Sequence, residues 1–276
     1  MNATPVIIKT LDEMRSARRE LKGSVGFVPT MGYLHRGHLS LVEESRKVTD
    51  NTIVSIFVNP TQFGPNEDLN NYPRDFERDI NLLKDLKVKY VFFPTDEMMY
   101  PADFKSWVIV EKLTEGLCGR SRQNHFRGVT TIVSKLLNII NPDFMFLGEK
   151  DFQQLKVLQQ MTKDLNISCR IIGCPIIREE DGLALSSRNK YLSTDERKQA
   201  LCLYKSLLLA RDLFSSGVVE TDEIAAAMSE LIKFSRGRID YIEIVDPETL
   251  EPVEIAQPDS RVIQAVSVSY THLTLP

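Results

Sequence analysis

The chain has 276 residues, 42% of them hydrophobic and 26% charged, which is the usage of a folding globular protein and excludes a disordered or fibrous one. Its formal net charge of −4 argues against a nucleic-acid binder whose affinity rests on neutralising phosphates. No apolar run approaches the roughly 20 residues that span a bilayer, and the N-terminal MNATPVIIKTLDEMR lacks the apolar stretch of a signal peptide, so a cytoplasmic protein without membrane partners is expected.

Short β-branched apolar runs alternate with amphipathic segments of helical period from residue 23 to about residue 175, the pattern of a parallel sheet covered by helices. Strands are predicted over 24–29, 52–58, 89–93, 143–147 and 168–173, with helices over 37–48, 74–86, 127–140 and 151–165 between them. In the third helix Val129, Ile132, Val133, Leu136, Leu137 and Ile140 fall on one face. Beyond Arg188, helices over 194–214 and 221–234 and an alternating strand over 240–245 predict a smaller second domain that begins near residue 177. A ligand is expected at the carboxyl ends of the parallel strands. Cys118, Cys169, Cys174 and Cys202 show neither CxxC spacing nor neighbouring histidines, and read as buried reduced thiols.

Five segments carry candidate chemistry. Pro29-Thr30-Met31-Gly32-Tyr33-Leu34-His35-Arg36-Gly37-His38 follows the first predicted strand and opens the first predicted helix, so its backbone N–H groups and positive helix end can meet phosphate. His35 and His38, three apart, face the same side and can both donate to charge developing on one phosphate. Zinc would need a third ligand, and none is near in sequence. VNPTQFG, over 58–64, sets the uncharged Gln62 at a strand end, although the same string is also simply a good turn. LGEKDFQQ, over 147–154, offers Lys150 to phosphate and Gln154 one helical turn later, while Glu149 and Asp151 also fit a capping role. Arg120 to Gly128 holds three arginines and His125, and reads as either a solvated basic loop or a phosphate-facing gate. Asp181 to Asn189, with Ser186, Ser187 and Arg188, suits a clamp over polyphosphate, the plainer alternative being an N-cap serine beside an exposed arginine.

In this order and at these separations, MGYLHRGH, VNPTQFG, the triplet Tyr72-Pro73-Arg74, HFRGV over 125–129, GEKDFQQ and LSSRN resemble the pantoate–β-alanine ligases of the nucleotidylyltransferase superfamily. The resemblance implies an α/β fold, with a Rossmann-like ATP- and pantoate-binding domain over 1–176 that carries the HxGH nucleotide-binding turn. A smaller α+β C-terminal lid domain would cover 177–276. It implies an AMP-forming ligase that condenses pantoate with β-alanine through pantoyl adenylate, releasing AMP and pyrophosphate to give pantothenate, the coenzyme A precursor. Magnesium would accompany ATP, and the enzyme would be a cytoplasmic homodimer that binds no nucleic acid. By the same resemblance His38 is the catalytic histidine, with His35, Lys150 and Arg188 around the phosphates. ATP contacts fall on Met31, Gly32, Tyr33, Leu34, His35, Arg36, Gly37, His38, Gly148, Glu149, Lys150, Asp151, Ile177, Leu185, Ser186, Ser187 and Arg188. Pantoate falls to Gln62 and Gln154, β-alanine to Gln62, and magnesium to Asp79. The tail 267–276 departs from the family's usual ending, which leaves its nativeness open and sets His272 outside the mechanism.

Overall fold

Six short strands form one all-parallel sheet in the computed structural model, which describes residues 4–235, 237–268 and 271–275. The strands are β1 (Val6–Ile8), β2 (Val25–Thr30), β3 (Asn51–Ile56), β4 (Tyr90–Phe92), β5 (Phe144–Gly148) and β6 (Arg170–Cys174), in the order β1-β4-β3-β2-β5-β6. The helices are α1 (Leu11–Glu20), α2 (Arg36–Val48), α3 (Phe76–Asp85), α4 (Asp96–Met99), α5 (Cys118–Ser121), α6 (His125–Ile140), α7 (Phe152–Asp164), α8 (Thr194–Ser215) and α9 (Thr221–Lys233).

The chain divides into two units, the first holding the sheet and comprising Met1–Glu111, Arg122–Glu149 and Gln154–Pro175. Strand order reverses between β2 and β5, and at such a reversal the carboxyl ends of parallel strands leave a crevice. β2 pairs with β3 along all six residues but with β5 only at Gly26 and Phe27, so the ladder ends before Pro29, which has no N–H to give it. Side chains from β2, β3, β4, α2 and α3 interlock in one cluster that includes Val28, Leu41, Val42, Val54, Ile80, Leu83 and Val91. Each such fully buried aliphatic side chain contributes about 1.5–3 kcal/mol over exposure. On α6 the whole predicted stripe from Val129 to Ile140 is buried, as are Thr130, Thr131 and Ser134.

The second unit comprises Lys112–Ser121, Lys150–Gln153 and Ile176–Pro276. Here β7 (Arg238–Val245), β8 (Arg261–Val268) and β9 (Thr271–Leu275) form an antiparallel sheet in that order. α8 opens on a capping box in which Ser193 and Glu196 satisfy each other's backbone N–H groups. One core cluster joins Leu183, Ala200, Leu203, Ile232 and Val266, and within this unit the buried amide of Gln264 donates to Leu203 O and accepts from Ser206 Oγ.

Several elements escaped the sequence reading. β1 has three residues, too few to show a period, and the Thr10–Glu13 capping box that opens α1 was the available signal. The tail, expected to lack a pattern, includes β9, whose backbone pairs with residues 264–268 of β8, while residues 269, 270 and 276 lie outside the described residues. All four cysteines are buried, and burial pushes the Cys169 thiol up to about 12 and the Cys174 thiol up to about 11.

Candidate active site

The first unit builds a tight turn at the carboxyl end of β2. Thr30 donates Oγ1 to Ser55 O at 2.8 Å and accepts the Gly32 N–H at 3.2 Å, which folds the chain back on itself. Gly32 has φ +82°, where L side chains are strained, and a Cβ there would stand 3.2 Å from Asp79 Oδ2. Asp79 comes from α3 with only 1% of its surface exposed, and its Oδ2 and Oδ1 accept the N–H groups of Tyr33 and Leu34, each at 2.7 Å. Burial pushes the Asp79 carboxyl above its ordinary value, with those two N–H groups and Arg78 pulling the other way.

His35 then caps α2. Its Nδ1 accepts the Gly37 N–H at 3.2 Å, and His38 Nδ1 accepts the His35 N–H at 3.3 Å. Two accepting Nδ1 atoms assign the protons of the neutral rings to Nε2. The rings lie 4.0 Å apart between centroids, so the turn holds two Nε2–H donors side by side at a helix N-terminus. Arg36, placed among the ATP contacts by the family resemblance, pairs with Glu43 at 2.6 Å on the exposed side of α2.

Gln62 ends a short 3₁₀ turn, Pro60–Gln62, beyond β3. Its Oε1 accepts from Asn59 Nδ2 at 3.0 Å and its Nε2 points to Met31 Sδ at 3.3 Å, so two predicted site residues meet although 31 positions separate them. Asn59 is 2% exposed, and its Oδ1 accepts from Tyr100 OH at 2.9 Å and Thr61 Oγ1 at 3.0 Å. Asn59 and Tyr100 were not singled out by sequence; an amide immediately before Pro60 was the one available hint. Gly148 ends β5, the neighbour of β2, Glu149 comes directly after it and Gln154 lies in the first turn of α7.

In the second unit, Lys150 lies 3.5 Å from Asp151 as an ion pair. Leu185 N–H bonds Ile177 O at 3.0 Å, closing a hairpin whose turn uses Gly182 at φ +95°. Ser186 caps the following 3₁₀ turn by accepting the Arg188 N–H at 3.2 Å, which is the plainer role allowed for it from sequence. Arg197 ties Glu179 and Asp181 together, and Asn189 Nδ2 bonds both Glu179 Oε1 and Ala184 O, so this loop is braced at both sides of Ser186–Arg188.

The arginines of the basic segment 120–128 each have a partner distant in the chain. Arg120 pairs with Glu243 at 2.9 Å within the second unit, while in the first Arg122 pairs with Glu67 and Arg127 stacks over Trp107 at 4.5 Å.

A family model described as pantoate–β-alanine ligase matches residues 6–274. The chain belongs to the pantoate–β-alanine ligase family. The pantothenate synthetase of Thermotoga neapolitana is 56% identical over 265 residues, covering 95% of this chain and 94% of that protein. A crystal structure of the pantothenate synthetase from Thermus thermophilus superposes with a TM-score of 0.94 at 45% identity, covering 98% of this chain and 97% of that one. A pantoate–β-alanine ligase from Francisella tularensis, complexed with β,γ-ATP and β-alanine, gives a TM-score of 0.83 at 34% identity, over 98% of this chain and 96% of that one. The family makes this chain a ligase, on the α/β fold expected from the sequence. No helix among the described residues is long and apolar enough to cross a membrane.

Proposed function

We propose that this enzyme condenses pantoate with β-alanine at the expense of ATP, through pantoyl adenylate. The observation that carries this reading is the contact between Gln62 Nε2 and Met31 Sδ, which sets an uncharged amide beside the phosphate turn. A transferase acting on a phosphorylated acceptor would need a second cation there; an acid bearing hydroxyl groups needs a donor and acceptor of this kind.

In the first step one pantoate carboxylate oxygen bonds the α-phosphorus as the bond to the bridging oxygen breaks and pyrophosphate leaves. Two anions must approach, so positioning and charge stabilisation dominate. The Nε2–H groups of His38 and His35 donate to the α-phosphate oxygens, with Lys150 and Arg188 read as further phosphate contacts. The other ATP contacts are those the family resemblance assigned. In the second step the neutral amine of β-alanine attacks the acyl carbon, the acyl–oxygen bond breaks, AMP leaves and the amine gives up a proton. Gln62 and Gln154 are read as the pantoate contacts, Gln62 serving β-alanine as well.

Magnesium would screen the triphosphate as a companion of the substrate, the arrangement this ion favours with nucleotides. Asp79, which the family resemblance assigned to magnesium, is buried with one oxygen on the Tyr33 N–H and the other on the Leu34 N–H, and we read it first as the brace of the turn. We also read the enzyme as a cytoplasmic homodimer, which sedimentation would test. The activity is tested by exchange of labelled pyrophosphate into ATP: with pantoate present and β-alanine absent, exchange is expected, and exchange indifferent to pantoate would refute the reading.

A further inference from the structure

Two residues the proposed chemistry does not use, His125 and Arg122, converge on the main chain of Gln62. His125, 8% exposed at the start of α6, has Nδ1 2.8 Å from Gln62 O. A carbonyl only accepts, so Nδ1 carries the proton and the neutral ring leaves Nε2 as an acceptor, which Arg122 Nη1 meets at 3.2 Å. Arg122 is itself fixed by a two-pronged pair, its Nε and Nη2 donating to the two oxygens of Glu67 at 2.8 and 2.5 Å. Its Nη2 also reaches Gln62 O at 3.4 Å.

The same helix presses on the turn from another side. A Cβ at Gly128 would collide with Thr61 O and lie 2.7 Å from Gln62 N, so only glycine lets α6 approach this closely. Gly128 O also accepts from Asn59 Nδ2 at 3.2 Å, the same amide that orients Gln62 Oε1. The backbone and the side-chain amide of Gln62 are thus held by separate partners, and the carbonyl is held from α6.

We propose that His125, locked by Arg122 and Glu67, is a positioning residue that sets how Gln62 presents its amide to the acid substrate. The inference rests on the reading of Gln62 as a pantoate contact. It makes the pantoate dependence, and not the ATP dependence, sensitive to a side chain that itself touches no substrate.

The test compares His125→Leu, His125→Asn, Glu67→Gln and Gln62→Ala in the full-length enzyme. His125→Leu removes the donor to Gln62 O and is expected to raise KM for pantoate about tenfold with KM for ATP within about twofold of wild type. His125→Asn, whose amide can occupy the place of Nδ1–H, is expected to restore most of the difference. Glu67→Gln, at a partly exposed position that folding tolerates, is expected to give a smaller rise of the same kind if His125→Leu does not fold. Wild-type KM for pantoate in folded His125→Leu or, failing that, in Glu67→Gln, beside a raised value in Gln62→Ala, overturns the positioning role. So does an equal rise in both KM values, which marks a general structural defect. An unchanged KM for pantoate in Gln62→Ala overturns the reading of Gln62 itself, and the inference with it.

Discussion

Asp79 and Leu34 are 45 residues apart in the chain and joined by a 2.7 Å bond from the Leu34 N–H to a buried carboxylate oxygen. With the matching bond from Tyr33, this makes the shape of the 31–38 turn depend on a side chain from α3. Backbone N–H groups aimed at a carboxylate cannot turn outward, so Asp79 decides which N–H groups of the turn remain for the phosphate proposed there. Replacing it with asparagine keeps the size but sets an NH₂ against one of the two N–H donors. Asp79→Asn is therefore expected to lose about 1–3 kcal/mol of stability and to raise KM for ATP more than KM for β-alanine. Urea unfolding and steady-state kinetics check the two halves; unaltered values in both would deny Asp79 this role.

His38 carries the sharper kinetic expectation. If its Nε2–H stabilises charge on the α-phosphate, His38→Ala lowers adenylate formation by about 10²-fold or more, as loss of one preorganised donor does elsewhere. The fold should persist, because His38 lies in the first turn of α2 and outside the buried cluster that secures that helix. Single-turnover pyrophosphate release measures the effect. Near-normal release from a folded His38→Ala protein would remove this ring from the reaction.

The pair of Glu67 and Arg122 gives a pH dependence with a definite sign. Burial pushes the Glu67 carboxyl up, but the hydrogen bonds and charge of Arg122, with a contribution from His125, bring it below its ordinary value. A carboxylate depressed in the folded state stabilises above its unfolded pKa of about 4.3, and that stabilisation fades as pH falls through the lower folded value. Both side chains are partly exposed, at 19% and 27%, so solvent screening limits the pair to about 1 kcal/mol. At neutral pH Glu67→Gln should melt about 2 °C below wild type. Scanning calorimetry should show the gap closing as pH falls from about 5 towards 3, and a gap that widens on acidification would contradict the assignment.

How much of this was legible in sequence follows from the range of the interactions. The helix over 127–140 announced itself through apolar period, and α6 buries that whole stripe. The strand-turn-helix placement of His35 and His38 was equally local, since a β-branched run, two glycines and an amphipathic segment stand consecutively. What the sequence could not show is long-range partnership. Nothing near Asp79 in the sequence indicates that its oxygens face residues 33 and 34. Arginines 120, 122 and 127 read as one basic patch because their partners, Glu243, Glu67 and Trp107, lie far away in the chain. β8 and β9 were missed because their pairing is set by tertiary context.

The two glutamines separate the ligase reading from its nearest rival, a nucleotidyltransferase that hands AMP to a phosphate. A mixed-anhydride adenylate is lost to water if released, so the site must form it and hold it until the amine arrives. With ATP, Mg²⁺ and pantoate alone, a burst of pyrophosphate near one equivalent per site is expected, and β-alanine should convert it to steady turnover with equal AMP and pantothenate. Gln62→Ala and Gln154→Ala each remove an amide from the acid's side of the reaction and should weaken pantoate dependence by about 1–3 kcal/mol, while ATP dependence changes little. They should differ from one another in the second step. Gln62, tied through Asn59 to α6 and through Met31 to the nucleotide turn, is read as serving β-alanine as well, so its loss should also slow aminolysis of preformed adenylate. Gln154→Ala should leave that step close to wild type. Quenched-flow measurement of adenylate decay on adding β-alanine distinguishes the two variants, and equal decay in both would assign β-alanine to other residues.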